Sequence, residues 1–212
     1  MCGRYQVESD WDEFPEFRIP AEFAGNDQLR PTDPAPVLRF DDNGELMGEI
    51  RRWGFWRTWP GASGKWVKRS LINAVGEELS VKRAFKDAYA SARCLVPMSA
   101  WYEWPMIDGQ KTMVRIGLKQ RRMFAAAGLY ETSKHPDSGV SVETFTIVTV
   151  PPNEILGTVH DRAPLVLREE DYMTWLEGGI LAQSLITAHP DADAFSVRPV
   201  GQKIQQASFG FQ

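Results

Sequence analysis

Apolar and polar residues alternate in short runs along most of this chain. Strand-like runs, some alternating and some continuously apolar, cover residues 4–7, 37–40, 49–53, 94–97, 101–104, 113–118, 124–129, 143–150, 164–167 and 196–200. These runs are rich in β-branched and aromatic side chains and bounded by turn formers, which predicts strands. Asp108-Gly109, set between two such runs, predicts a tight hairpin. A helical period is rarer. Leu79, Val81, Phe85, Ala88 and Tyr89 predict a helix over residues 77–89, and shorter helices are expected over 152–156, 169–176 and 181–186. Residues 30–36, with three prolines, and Trp59-Pro60-Gly61-Ala62-Ser63-Gly64 read as loops, and Lys119-Gln120-Arg121-Arg122 as a hairpin loop. The expected class is therefore α+β, with a mostly antiparallel sheet system that curls toward a barrel. Strand-like segments resume on both sides of each loop and no repeat appears, so residues 1–212 read as one domain.

Composition narrows the function classes. Hydrophobic residues make up 43% and charged residues 25%, which supports a packed core and excludes a disordered chain. A net charge of -4 excludes a uniformly basic nucleic-acid coat, so any such surface must be a local patch. The first residues offer no basic segment followed by an apolar run, and no stretch reaches membrane-spanning length. A cytoplasmic, nucleoid-associated monomer with no membrane contact is expected. Two cysteines and three scattered histidines give no zinc-type spacing, so neither a metal nor a cofactor is expected.

The N-terminus carries the most specific chemistry. Residue 2 is a small cysteine, and small second residues permit removal of the initiator methionine. A terminal cysteine presents an α-amine with a reference pKa of about 7.7–8.0 and a thiol of about 8.5 on adjacent carbons. The amine condenses with an aldehyde to an imine, and the thiol closes a thiazolidine ring by intramolecular attack. Three further segments set polar groups among apolar ones. Leu71-Ile72-Asn73-Ala74 places an amide, Trp101-Tyr102-Glu103-Trp104 a carboxylate between aromatics, and Val159-His160-Asp161-Arg162 an imidazole. A carboxyl in an aromatic setting suits proton transfer, as does an imidazole. His135 and His189 lie in polar, loop-like stretches. Lys65-Trp66-Val67-Lys68-Arg69 and Arg51-Arg52-Trp53-Gly54-Phe55-Trp56-Arg57 mix cations with aromatics, the combination that grips single strands. Each feature alone has an ordinary alternative. Cys2 is then a tolerated terminal residue, Asn73 a turn residue, Glu103 a surface or paired carboxylate and His160 a hydrogen-bonded structural histidine. The tryptophans are then core.

Taken in order, these pieces resemble the SOS response-associated peptidase family of abasic-site-processing proteins. The likeness runs through Met1-Cys2-Gly3-Arg4-Tyr5, Arg52-Trp53-Gly54, Leu71-Ile72-Asn73-Ala74 with Glu77, and Arg93-Cys94-Leu95-Val96-Pro97. It continues through Trp101-Tyr102-Glu103-Trp104, Phe124-Ala125 to Gly128-Leu129, Phe145-Thr146-Ile147-Val148-Thr149 and Val159-His160-Asp161-Arg162 with Pro164. The resemblance implies a bifurcated sheet with a barrel-like core surrounded by helices. It implies that mature Cys2 joins covalently to the ring-opened sugar of an abasic site in single-stranded DNA. By likeness Asn73 orients the terminus and the sugar, Glu103 moves protons during imine formation, and His160 assists ring opening. Arg4 and Arg162 hold phosphates. Val75 stands where the family usually has an arginine, so by likeness a phosphate contact is either lost or moved to Lys65, Lys68 or Arg69 beside Trp66. Ala163 stands where a methionine is usual. Two other readings remain open: a cysteine peptidase with Cys2 as nucleophile and His160 as base, able to remove its own N-terminal extension, and a non-catalytic single-strand binder.

Overall fold

The alternating segments become strands in a computed structural model that describes residues 2–17, 23–188 and 190–201. In chain order the strands begin with β1 (Tyr5–Val7), β2 (Asn26–Leu29), β3 (Pro34–Phe40), β4 (Leu46–Trp53), β5 (Phe55–Pro60), β6 (Trp66–Leu71), β7 (Asn73–Val75) and β8 (Arg93–Met98). They continue with β9 (Ala100–Glu103), β10 (Met106–Ile107), β11 (Gln110–Lys111), β12 (Val114–Leu118), β13 (Phe124–Lys134), β14 (Ser141–Val150), β15 (Ala163–Pro164) and β16 (Phe195–Pro199). The α-helices are short: α1 (Lys86–Ser91), α2 (Glu154–Gly157), α3 (Tyr172–Glu177) and α4 (Gly179–Ser184).

Strands β13, β8, β3, β4 and β14 pair in that order, and β14 returns to β13, closing a barrel-like ring. Closure gives each of the five strands a neighbour on both sides. The sheet then divides along β14. On one flank β4 pairs at Thr144 and Phe145, and β7 takes over at Ile147 to Thr149. On the other flank β13 pairs as far as Ile147, and β15 takes over at Thr149 and Val150. A second, antiparallel sheet runs β16-β12-β9-β1-β2. Aromatic contacts join the two. Tyr5 of β1 meets Trp53 of β4 edge-on at 5.0 Å, and Trp101 of β9 meets Phe124 of β13 at 6.3 Å. All four rings are buried.

Close packing in the ring makes one glycine obligatory. A Cβ on Gly128 of β13 would lie 2.6 Å from Val96 Cγ2 and 2.9 Å from Cys94 Sγ, both on β8. Gly128→Ala is expected to cost about 1–3 kcal/mol through overpacking. The check is urea denaturation, with a lower midpoint and an unchanged slope.

The Asp108-Gly109 hairpin forms as expected, with both residues at positive φ (50° and 76°) between β10 and β11. Other expectations are corrected. The helix over residues 77–89 is a 3₁₀ turn at Gly76–Glu78, further turns, and α1 from Lys86. Leu79 and Phe85 are drawn into the core, whereas Val81 faces solvent, so one continuous helical face never forms. Residues 34–36 are strand, not loop, because β3 needs them opposite Ile50 to Arg52. Trp59 and Pro60 close the unforeseen β5–β6 hairpin, whose turn is Gly61 to Lys65. Lys119 to Arg122 cross from the second sheet to the ring instead of turning a hairpin, and Arg121 pairs with Glu13 at 2.6 Å. The strand expected over residues 164–167 shrinks to β15 and a bridge from Val166 to Ala126. Met1 and His189 lie outside the described residues. Among the described residues no helix is long and apolar enough to cross a membrane.

Candidate active site

Register brings the N-terminus to its partners. Strand β1 runs antiparallel to β9, pairing Tyr5 with Trp101 and Gln6 with Ala100, and the Tyr102 N–H donates to the Arg4 carbonyl at 2.9 Å. Residues before Tyr5 must therefore run alongside residues after Trp101. Cys2 is fully buried there. Its thiol is pushed well up by burial, and by the Glu103 carboxylate in addition. The thiol is thus held protonated rather than as a thiolate.

Asn73 reaches the same point from the ring. It opens β7, opposite Ile147 of β14, and its Nδ2 donates to the Cys2 carbonyl at 2.8 Å. The preceding Ile72 carbonyl accepts from the Ile147 amide at 3.1 Å and from Trp53 Nε1 at 2.9 Å. Asn73 is thereby anchored to two strands, and its Oδ1 is buried without a hydrogen-bond partner among the described residues.

Glu103 ends β9 and is only 5% exposed. Burial raises its carboxyl above the ordinary glutamate value, while the charge of His160 pulls the other way. Glu103 thus feels both Cys2 and His160 electrostatically. Helix α2 delivers His160. Asn153 caps that helix by accepting the Leu156 N–H at 3.0 Å, and the His160 amide closes the next turn on the Leu156 carbonyl at 3.1 Å. His160 Nδ1 lies 3.0 Å from the Arg162 amide nitrogen and 2.6 Å from Asp161 Oδ1.

The expected phosphate-binding residues divide into two groups. Arg4 lies beside the site, its guanidinium 5.0 Å above the Trp104 ring and 3.1 Å from Gln28 Oε1. Arg162 is engaged by Glu77 in a two-pronged pair, 2.7 Å on each prong, which holds the Glu77 carboxyl below its ordinary value. Lys65, Trp66, Lys68 and Arg69 belong instead to the β5–β6 hairpin. Trp66 is 66% exposed, Lys68 pairs with Asp137, and Arg69 lies 5.7 Å above the Trp59 ring. Structure therefore brings Cys2, Asn73, Glu103 and His160 together, with Arg4 and Arg162 adjoining. It adds Glu77 and Trp53, whose partners stand 85 and 19 residues away, separations that no local pattern reveals. Among the described residues no group of three or more His, Cys, Asp or Glu is placed to hold a metal ion.

Comparison with known proteins places the chain in a family and its fold among solved structures. A family model described as SOS response associated peptidase matches residues 1–207. The abasic site processing protein YoqW, found in Bacillus subtilis and in Bacillus phage SPbeta, is 34% identical over 183 residues, covering 83% of this chain and 80% of its own length. The abasic site processing protein YedK of Escherichia coli is 26% identical, over 96% of this chain and 94% of its own. Among solved structures, a protein from Bordetella bronchiseptica superposes with a TM-score of 0.78 at 19% identity, covering 95% of this chain and 100% of its own. One from Bacteroides thetaiotaomicron gives 0.77 at 18%, covering 93% and 91%.

Proposed function

The chain belongs to the SOS response associated peptidase family, and from that premise we propose that it processes abasic sites by capturing them covalently at Cys2. Removal of Met1 frees the α-amine of Cys2. The amine condenses with the aldehyde of the ring-opened sugar in single-stranded DNA, releasing one water and leaving an imine. The thiol then adds across the C=N bond. Sulfur bonds to carbon, its proton passes to nitrogen, and the thiazolidine closes, its formation favoured because the second attack is intramolecular.

The observation that carries this reading is the grip on Cys2: Asn73 Nδ2 holds its carbonyl at 2.8 Å while Glu103 is buried beside it. A held carbonyl anchors the residue, so the amine on the next carbon can move only by rotation about one bond. A carboxyl with a raised pKa is suited to protonate the departing hydroxyl of the carbinolamine, and its carboxylate to draw the proton from the thiol. His160, by family likeness, assists opening of the sugar ring. The relatives' names as abasic site processing proteins point the same way. A peptidase built on Cys2 and His160 is less well supported, since the Cys2 thiol donates to the Arg4 carbonyl at 3.9 Å and the relatives are named for abasic sites. Arg4 and the Lys65, Trp66, Lys68 and Arg69 hairpin are assigned to the DNA strand as phosphate and base contacts.

The test is a denaturing gel with abasic and intact single-stranded oligonucleotides, using protein shown by mass to begin at Cys2. A heat-stable product is expected with the abasic strand alone, with the mass of protein plus oligonucleotide minus one water. A product independent of the lesion, or none, overturns the reading.

A further inference from the structure

Three of the five N–H groups of Arg162 are committed within the protein. Both terminal nitrogens are bound by Glu77, and Nη2 also donates to the Thr149 carbonyl. The remaining nitrogen, Nε, is buried. A phosphate cannot take the same two-pronged grip unless Glu77 lets go. The grip instead fixes the backbone. Glu77 lies just beyond β7, which carries Asn73, and Thr149 pairs with both Val75 and Pro164. The turn that holds His160 is thus tied to the strand that holds Cys2.

The consequence falls on the imidazole. The Arg162 amide donates to His160 Nδ1, which requires that nitrogen to be unprotonated. Asp161 Oδ1, at 2.6 Å from the same nitrogen, demands the opposite. The two contacts select different tautomers, and where the Arg162 backbone is held decides between them. Resting on the abasic-site reading, we propose that Arg162 and Glu77 are positioning residues that set the tautomer of His160, so that it carries its proton on Nε2 and offers it to the sugar.

The pair Glu77→Gln and Arg162→Ala tests this, each variant first shown to be folded by circular dichroism. Both are expected to slow adduct formation on the order of 100-fold, as misplaced reacting groups do. The double variant should be no slower than either single one, because the two residues act as a unit. Long-range proton–nitrogen spectra, with the His160 signals identified by their loss in His160→Gln, should move from the Nε2–H pattern of the unaltered protein toward Nδ1–H. Binding of an intact single strand should keep its salt dependence in both variants. Three results overturn the proposal. In the first, Arg162→Ala lowers the log–log salt slope by about 0.7, the loss of one phosphate contact, and Glu77→Gln tightens binding. In the second, neither variant changes the tautomer. In the third, the rate is unchanged. If the unaltered protein forms no adduct, the abasic-site reading falls, while the tautomer measurement still decides what Arg162 does.

Discussion

Cys2→Ser is expected to abolish the heat-stable product with abasic DNA while preserving an adduct that borohydride traps. Serine keeps the α-amine, so the imine still forms. Its hydroxyl is a weaker nucleophile than the thiol, so the imine is not locked into a ring and heating hydrolyses it. Cys2→Ala should behave the same way. Protein that retains Met1 should give neither product, since its first amine is displaced from the grip of Asn73 on the Cys2 carbonyl. The three samples separate amine chemistry from thiol chemistry. A heat-stable product from Cys2→Ala would place the covalent bond elsewhere.

Glu103→Gln is expected to trade activity for stability. Loss of a positioned general acid and base costs about 100-fold or more in rate, read as the initial rate of adduct formation. Stability should move the other way. Burial raises the folded-state pKa of Glu103 above its unfolded value of about 4.3. The folded protein therefore binds this proton more tightly than the unfolded chain, and its stability falls as pH rises from about 4 through the folded pKa. Glutamine escapes that penalty. Urea midpoints of the two proteins should lie close near pH 4 and separate toward neutral pH, with the variant higher. A variant less stable at neutral pH would show that the partners of Glu103 outweigh its desolvation.

Much of the ring was legible in its strand-like runs, because β8, β13 and β14 bury apolar stretches that are bounded by turn formers. The β5–β6 hairpin was not. Its tryptophans looked like a binding stripe, yet Trp53 just before it is wholly core, whereas Trp59 and Trp66 face solvent. A period of two cannot say which face a tertiary neighbour covers. The turns after Glu77 were hidden for a related reason: Leu79 and Phe85 share a core but not one helical stripe. At the site, Asn73, Glu103 and His160 were named from residue order through the family likeness. The grip of Glu77 on Arg162 was not, since two charges far apart in sequence carry no mark of their pairing.

The complete burial of Cys2 means that its surroundings are made last. The residues of its site, Asn73, Glu103 and His160, are synthesised long after it, and Asn73 takes its place only when β14 joins β7. A nascent chain therefore carries its reactive terminus through most of its synthesis without the groups that work on it. Under the proposed chemistry such a chain holds an ordinary terminal cysteine, and competence arrives only with the fold.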